Sequence, residues 1–390
     1  MERALHLVPG EFPNPYWYLL LMVFPILGFI NLGKWRSTAI LAVNLVYFTW
    51  IAGVKSLLAF PWVLLLWTIL RQRCRTGKWT FWTKLWSWLW YLGIVALFVV
   101  HQTYSYDRPE FMKGMALTLI ALGFLYSMLR SVDAFIEVGS RSQPLVGPVE
   151  FMNYVLPFHM LAVAQAYTDF HAQSLKEPEP HTGRSIARGF GRALFGILSF
   201  YVLSPTLIYF FLLDWPADTA WGFFFQLQII PWNLIFQISG LCHMAVGAGI
   251  LLRIETPENF NWPLFSRNMT EFWTRWHMQV GGFIKRNIFA PLMTFLLIKT
   301  RGKALVTCIF IAYTTAFLTC GLWHEFNWPW TMWGLWHALG LGVARTWDIW
   351  LRKRLTRAEH ARYLANRWIG LLAWFINYEF VAVSVRLISP

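Results

Sequence analysis

Long apolar runs alternate along the chain with short polar breaks, most of them basic. A helix needs about 20 apolar residues to cross the hydrocarbon core of a bilayer. On that measure the pattern predicts helical spans at 16–32, 38–54, 56–70, 86–101, 114–130, 151–168, 193–213, 222–250, 278–298, 304–323, 331–347 and 368–388. The breaks sort by charge. "RQRCRTGKW" (Arg71 to Trp79), "KTRGK" (Lys299 to Lys303) and "RKRLTRAEHARYLANR" (Arg352 to Arg367) are basic and belong on the cytoplasmic face. The acidic "DWPAD" (Asp214 to Asp218) and the nearly neutral stretch from Gln102 to Lys113 fit outside. Strict alternation then fails around 151–168 and 278–298. The simplest repair makes both re-entrant, a backbone path tolerated in a bilayer only when buried in protein or lining a watery cavity. The expected fold is all-α and polytopic, with about ten transmembrane helices and two re-entrant segments around an internal cavity. No repeat, low-complexity linker or soluble domain interrupts it, so residues 1–390 read as a single integral-membrane domain.

Composition agrees. Of 390 residues, 57% are hydrophobic and 13% charged, where a soluble domain carries about 25% charged residues. The 25 tryptophans suit half-wetted membrane interfaces. The net charge of +14 lies in the short breaks. The positive-inside rule accounts for it, so no nucleic acid partner is implied; lipids are the expected surroundings. The four cysteines, Cys74, Cys242, Cys308 and Cys320, show no metal-ligand spacing and read as small apolar side chains. No metal site is expected. Glu2 and Glu11 do not fit a cleavable signal, and the first apolar run is expected to be a retained helix.

Histidines carry the candidate chemistry. "GLWHEFNWPWTMWGLWH" (Gly321 to His337) holds Gly-Leu-Trp-His twice. His324 ends twenty uncharged residues, and intramembrane ionisable groups are functional candidates. It can equally be a neutral imidazole bonded between helices. Pro329 separates the copies, so Gly321–Pro329 reads as a loop between two helices. His337 then lies inside the second helix, among glycines that allow close packing, as a candidate site or a packing histidine. Upstream, "PENFNWPLFSRNMTEFWTRWHMQV" (Pro257 to Val280) reads as an amphipathic surface helix. Glu271 and Arg275 are spaced to pair on one face. It ends at His277, where the chain turns back into apolar sequence. There is no Gly-x-Ser-x-Gly elbow, no phosphate loop and no His-x-x-x-His pair.

These same stretches, with "SGLCHMAVGAG" (Ser239 to Gly249), resemble the membrane-bound O-acyltransferase family. The likeness is to the bacterial branch that includes alginate O-acetylases and teichoic-acid D-alanylation acyltransferases, and it is strongest over 239–342. It implies a ring of helices around a thin core crossed by a tunnel. It also implies acyl transfer from a thioester to a hydroxyl, in the bacterial cytoplasmic (inner) membrane. It marks His324 as the catalytic residue and His277 as the second functional position. Trp273 and Trp276 beside His277 are substrate-binding candidates, and Trp323, Trp336 or loop backbone N–H groups near Gly321 are candidate donors to an oxyanion. Lys285 and Arg286 stand where the family carries Arg-Asp, and suit donor phosphates or an acidic carrier. Equally, they fit ordinary positive-inside topology. The donor implied is acyl-coenzyme A, acetyl above all, or an acyl carrier protein thioester, with no tightly bound cofactor. The acceptor implied is a hydroxyl of an extracytoplasmic glycan or of a partner protein, and a separate periplasmic or secreted partner is expected. Competing readings are a lipid or protein acyltransferase of the same superfamily, and a transporter or flippase.

Overall fold

The computed structural model describes residues 23–102, 119, 123–161, 163–213 and 219–389. The start of the span expected at 16–32, the stretch 103–113, most of 114–130 and the acidic 214–218 loop lie outside the described residues. Every described element is helical. Seven described helices are long and apolar enough to cross a membrane: Val54–Thr76, Phe81–Gln102, Gly183–Phe210, Ala220–Leu252, Met278–Thr300, Leu305–His324 and Arg367–Ile388. The chain is an all-α, multi-pass membrane protein. The expected spans 38–54 and 331–347 form helices too, but are not among the seven. The first has only 17 residues, and the second mixes Trp, His and Gly before a charged end.

The chain packs as two compact units. The first comprises the described residues of Glu11–Gly196 and Leu241–Pro257. It contains α1 (Arg36–Ala52), α2 (Ala59–Thr76), α3 (Phe81–Gln102), α4 (Phe124–Gly139), α5 (Pro148–Val155), α6 (Tyr167–Ser174) and α7 (Gly183–Leu198). The expected re-entrant stretch 151–168 is broken: between α5 and α6 lie a 3-10 turn at Phe158–Met160 and non-helical backbone at 163–166. Buried Arg130 on α4 donates to three carbonyls of this stretch. Arg130 Nε donates to Val155 O at 3.0 Å, and Nη1 donates to Met160 O and Val163 O at 3.2 and 2.7 Å. Irregular backbone in an apolar interior survives only with such donors.

The second unit comprises the described residues of Ile197–Gly240 and Glu258–Pro390. It holds most of α8 (Ala220–Leu252), then α9 (Met269–Arg275), α10 (Met278–Ile284), α11 (Ala290–Thr300), α12 (Leu305–His324), α13 (Trp328–Arg354), α14 (Arg357–Ala365) and α15 (Arg367–Ile388). The stretch 278–298, expected to be re-entrant, lies within one long helix. Helix continues unbroken from Met278 to Thr300 through a π segment at Lys285–Phe289. Twenty-three residues rise about 34 Å, enough to cross. Glu271 pairs with Arg275 at 2.6 Å and accepts the Arg267 N–H at 2.8 Å.

Helices α12 and α13 form a tight hairpin. The loop expected over Gly321–Pro329 is shorter, because α12 runs through His324 and only Glu325–Asn327 intervene. Asn327 caps α13 by accepting the Trp330 N–H at 2.9 Å. Pro329 sits in the first turn, where its missing N–H costs nothing. The glycines of the two Gly-Leu-Trp-His copies mark the crossing. A Cβ on Gly321 would press into the carbonyl of Trp330, and one on Gly334 into the carbonyl of Phe317. Those carbonyls lie four residues before Gly334 and Gly321 respectively, so the approach is reciprocal. Replacing either glycine by Ala forces the backbones apart. Thermal unfolding in detergent should show each variant losing about 1–3 kcal/mol. Gly183→Ala, which meets open space, should stay within about 0.5 kcal/mol.

Candidate active site

His277 occupies the corner between α9 and α10. Its backbone is left-handed, φ 45° and ψ 49°, and its residue is buried. That conformation costs a non-glycine residue about 1–2 kcal/mol, and the neighbouring loop offsets it. Asn259, itself buried, accepts the Met278 N–H on its carbonyl at 2.9 Å and the Gln279 N–H on Oδ1 at 3.1 Å. Arg275 O accepts the Asn261 N–H at 2.9 Å. Phe260 packs on the imidazole with centroids 5.6 Å apart. Sequence reasoning passed over Asn259, whose contacts with α10 lie 19 and 20 residues along the chain and leave no local signal.

The short helix α9 leads into this corner. Asn268 caps it through the Glu271 N–H at 2.9 Å. The amphipathic expectation for 257–277 reduces to these seven helical residues, because Pro263 and the extended Ser266 hold the rest in a loop. Trp276 stacks on Phe272 at 5.4 Å and meets Phe260 edge-on at 5.1 Å, so it is core packing for the corner. Trp273 points the other way, onto Phe317 of α12 and Trp333 of α13.

His324 is the last residue of α12, half-buried where the helix ends. Trp330 lies parallel to its ring, with centroids 4.3 Å apart and 12° between planes. Trp323 and Trp333 meet it edge-on at 4.8 and 6.0 Å. His277 and His324 lie within electrostatic reach of one another, so the two marked histidines share one region of the second unit. Trp330 and Trp333 were missed because a tryptophan in a tryptophan-rich run carries no local signal.

His337 has a different environment. It is 2% exposed and caged by Phe272, Trp273, Phe317, Trp333 and Phe380. Trp273 Nε1 donates to His337 Nδ1 at 3.2 Å. An indole N–H can only donate, so Nδ1 is an acceptor and the neutral ring carries its proton on Nε2. The basic lone pair of His337 is therefore already engaged. Trp336 is also committed: its Nε1 donates to Phe380 O at 2.9 Å, which removes it from the candidate oxyanion donors.

Lys285 and Arg286 are exposed at the start of the π segment, past the His277 corner. The extra residue per turn there shifts the helix face, a feature frequent at functional sites. Arg286 folds back along the helix, its Nη1 3.3 Å from where a Cβ on Gly282 would lie. Among the described residues no three His, Cys, Asp or Glu side chains gather to hold a metal. The cysteines are all unbridged, with Cys74 exposed and the other three buried.

The cage generates a prediction. His337→Ala should cost about 2–5 kcal/mol in thermal unfolding, the range for emptying a large buried side chain. His337→Phe keeps most of the volume but strands the Trp273 N–H. It should cost about 1–3 kcal/mol.

Comparison with known proteins places the chain. It is 27% identical over 264 residues to a peptidoglycan O-acetyltransferase of Helicobacter pylori, covering 66% of this chain and 44% of that one. It is 26% identical over 204 residues to a teichoic acid D-alanyltransferase of Bacillus subtilis, covering 52% and 50%. It is 26% identical over 402 residues to a protein of Pseudomonas aeruginosa named probable alginate O-acetylase, covering 95% and 70%. The chain thus spans about half the length of the first two relatives. The family model described as MBOAT, membrane-bound O-acyltransferase family, matches residues 12–385. With nearly the whole length matched, the chain belongs to the membrane-bound O-acyltransferase family.

Proposed function

We propose that this protein is a membrane-embedded O-acyltransferase of a bacterial inner membrane. It moves an acyl group, acetyl in the simplest case, from a cytoplasmic thioester to a hydroxyl of an extracytoplasmic glycan. The observation that carries this reading is the placement of His324. It ends an apolar membrane helix beside a chain break, within electrostatic reach of His277, while its twin His337 is locked by Trp273. The glycan acceptor follows the printed names of the relatives, which concern peptidoglycan, alginate and teichoic acid.

In this mechanism His324 is the general base. It takes the proton of the acceptor hydroxyl as that oxygen attacks the thioester carbonyl. The carbonyl opens to a tetrahedral oxyanion, for which the Trp323 indole and backbone N–H groups near Gly321 are the candidate donors. The oxyanion collapses, the C–S bond breaks, and the thiolate takes up the proton delivered through His324 or His277. Lys285 and Arg286 would hold donor phosphates or acidic carrier side chains through charge-assisted contacts. A coenzyme A or carrier thioester serves as substrate, not as a resident cofactor. A separate outer partner would present the polymer.

Mass spectrometry of envelope glycans from cells with and without the protein should show an acyl ester that disappears on deletion; unchanged esters would overturn the acceptor assignment. His324→Ala should insert and purify normally yet lose about 10²–10⁴-fold in transfer rate, whereas His337→Ala should keep its turnover per folded molecule.

The donor contact is tested separately. Replacing Lys285 and Arg286 together with Gln should raise KM for acetyl-coenzyme A, each lost contact being worth about 1–3 kcal/mol. Unfolding temperature should not change, because both side chains are exposed. An unchanged KM would leave them as positive-inside residues only.

A further inference from the structure

Trp330 stands out among the residues around His324. Its indole lies closer to the imidazole than Trp323 or Trp333, at 4.3 Å against 4.8 and 6.0 Å, and it alone of the three lies parallel. Three constraints hold it there. Its backbone N–H donates to Asn327 Oδ1, its carbonyl lies where a Cβ on Gly321 would stand, and its ring meets Trp333 edge-on at 5.4 Å. The ring is therefore placed by the α12–α13 crossing itself.

A base that accepts a proton becomes a cation, and in a poorly hydrated site little water is at hand to stabilise it. An aromatic face presents negative charge density to a cation stacked on it, and tryptophan does so best. We infer that Trp330 is a positioning residue for acyl transfer, one that holds the His324 imidazole in its plane and stabilises the imidazolium formed when the acceptor proton arrives. This inference rests on the reading of His324 as base. It also gives the two Gly-Leu-Trp-His copies a joint purpose, since the crossing their glycines permit is what brings Trp330 onto His324.

The test replaces Trp330 in the full chain, by nonsense suppression, with a series of fluorinated tryptophans. Fluorine withdraws charge from the ring face with little change in shape, so folding is preserved. Turnover is measured in detergent with acetyl-coenzyme A and de-esterified envelope glycan. The expected result is a stepwise fall in kcat with each added fluorine, on the order of tenfold across the series, at constant KM for the donor. Trp330→Phe should retain most of kcat, and Trp330→Met should lose it. A flat kcat across the series, or equal losses in the Phe and Met variants, would show a packing role alone and overturn the inference. His324→Ala separates the two levels. If it is inactive while the series is flat, only the role of Trp330 falls; if it keeps its turnover, the base assignment falls and the role of Trp330 with it.

Discussion

The backbone-to-backbone contact between α12 and α13 is the constraint on which the candidate site depends. In lipid there is no hydrophobic force between helices, so association rests on close packing and on bonds between polar groups. Gly321 and Gly334 let two carbonyls sit where side chains would otherwise stand. That approach fixes the depth of every ring along the hairpin. Each histidine lies three residues beyond its glycine, yet their fates differ because α12 stops at His324 while α13 continues to Arg354. The first histidine is left at a helix end, half-buried. The second is sealed among five aromatic rings.

Some of the tryptophans have a second role beside the membrane interface. Several indole N–H groups tie separate elements together. Trp273 bonds His337, Trp336 bonds Phe380 O, Trp374 bonds Leu264 O, and Trp67 bonds Val146 O. An unpaired donor in an apolar interior costs several kcal/mol. A large ring with a single donor both fills space and meets one orphan carbonyl or nitrogen. Gln228 on α8 follows the same logic, donating to Glu379 in the middle of α15 at 2.9 Å.

Two of the five described non-glycine residues with left-handed backbone lie beside the candidate chemistry. Both Trp262 and His277 adopt left-handed backbone, and both belong to the stretch that meets α10. A few residues later the helix widens into its π segment at Lys285. Such features persist only when surrounding bonds over-determine them. Here Asn259 and the Asn261–Arg275 bond supply that support.

What the sequence determined by itself was local in origin. Hydropathy marked the long helices, because a run of side chains reports its own surroundings. Helical spacing gave the Glu271–Arg275 pair, and the change from polar to apolar residues gave the turn at His277. The family motifs singled out His324 and His277. Tertiary structure decided what depends on a partner elsewhere in the chain. The continuity of the helix at 278–300 could not be read from the charge count. The neutral tautomer of His337 needs a tryptophan 64 residues away, and the commitment of Trp336 needs a carbonyl 44 residues away. Arg130 meets carbonyls 25 to 33 residues on. Periodicity within one helix tells which face is covered, but not which atom of another helix covers it. That is why two identical tetrapeptides could be told apart only once α12 and α13 were packed against each other.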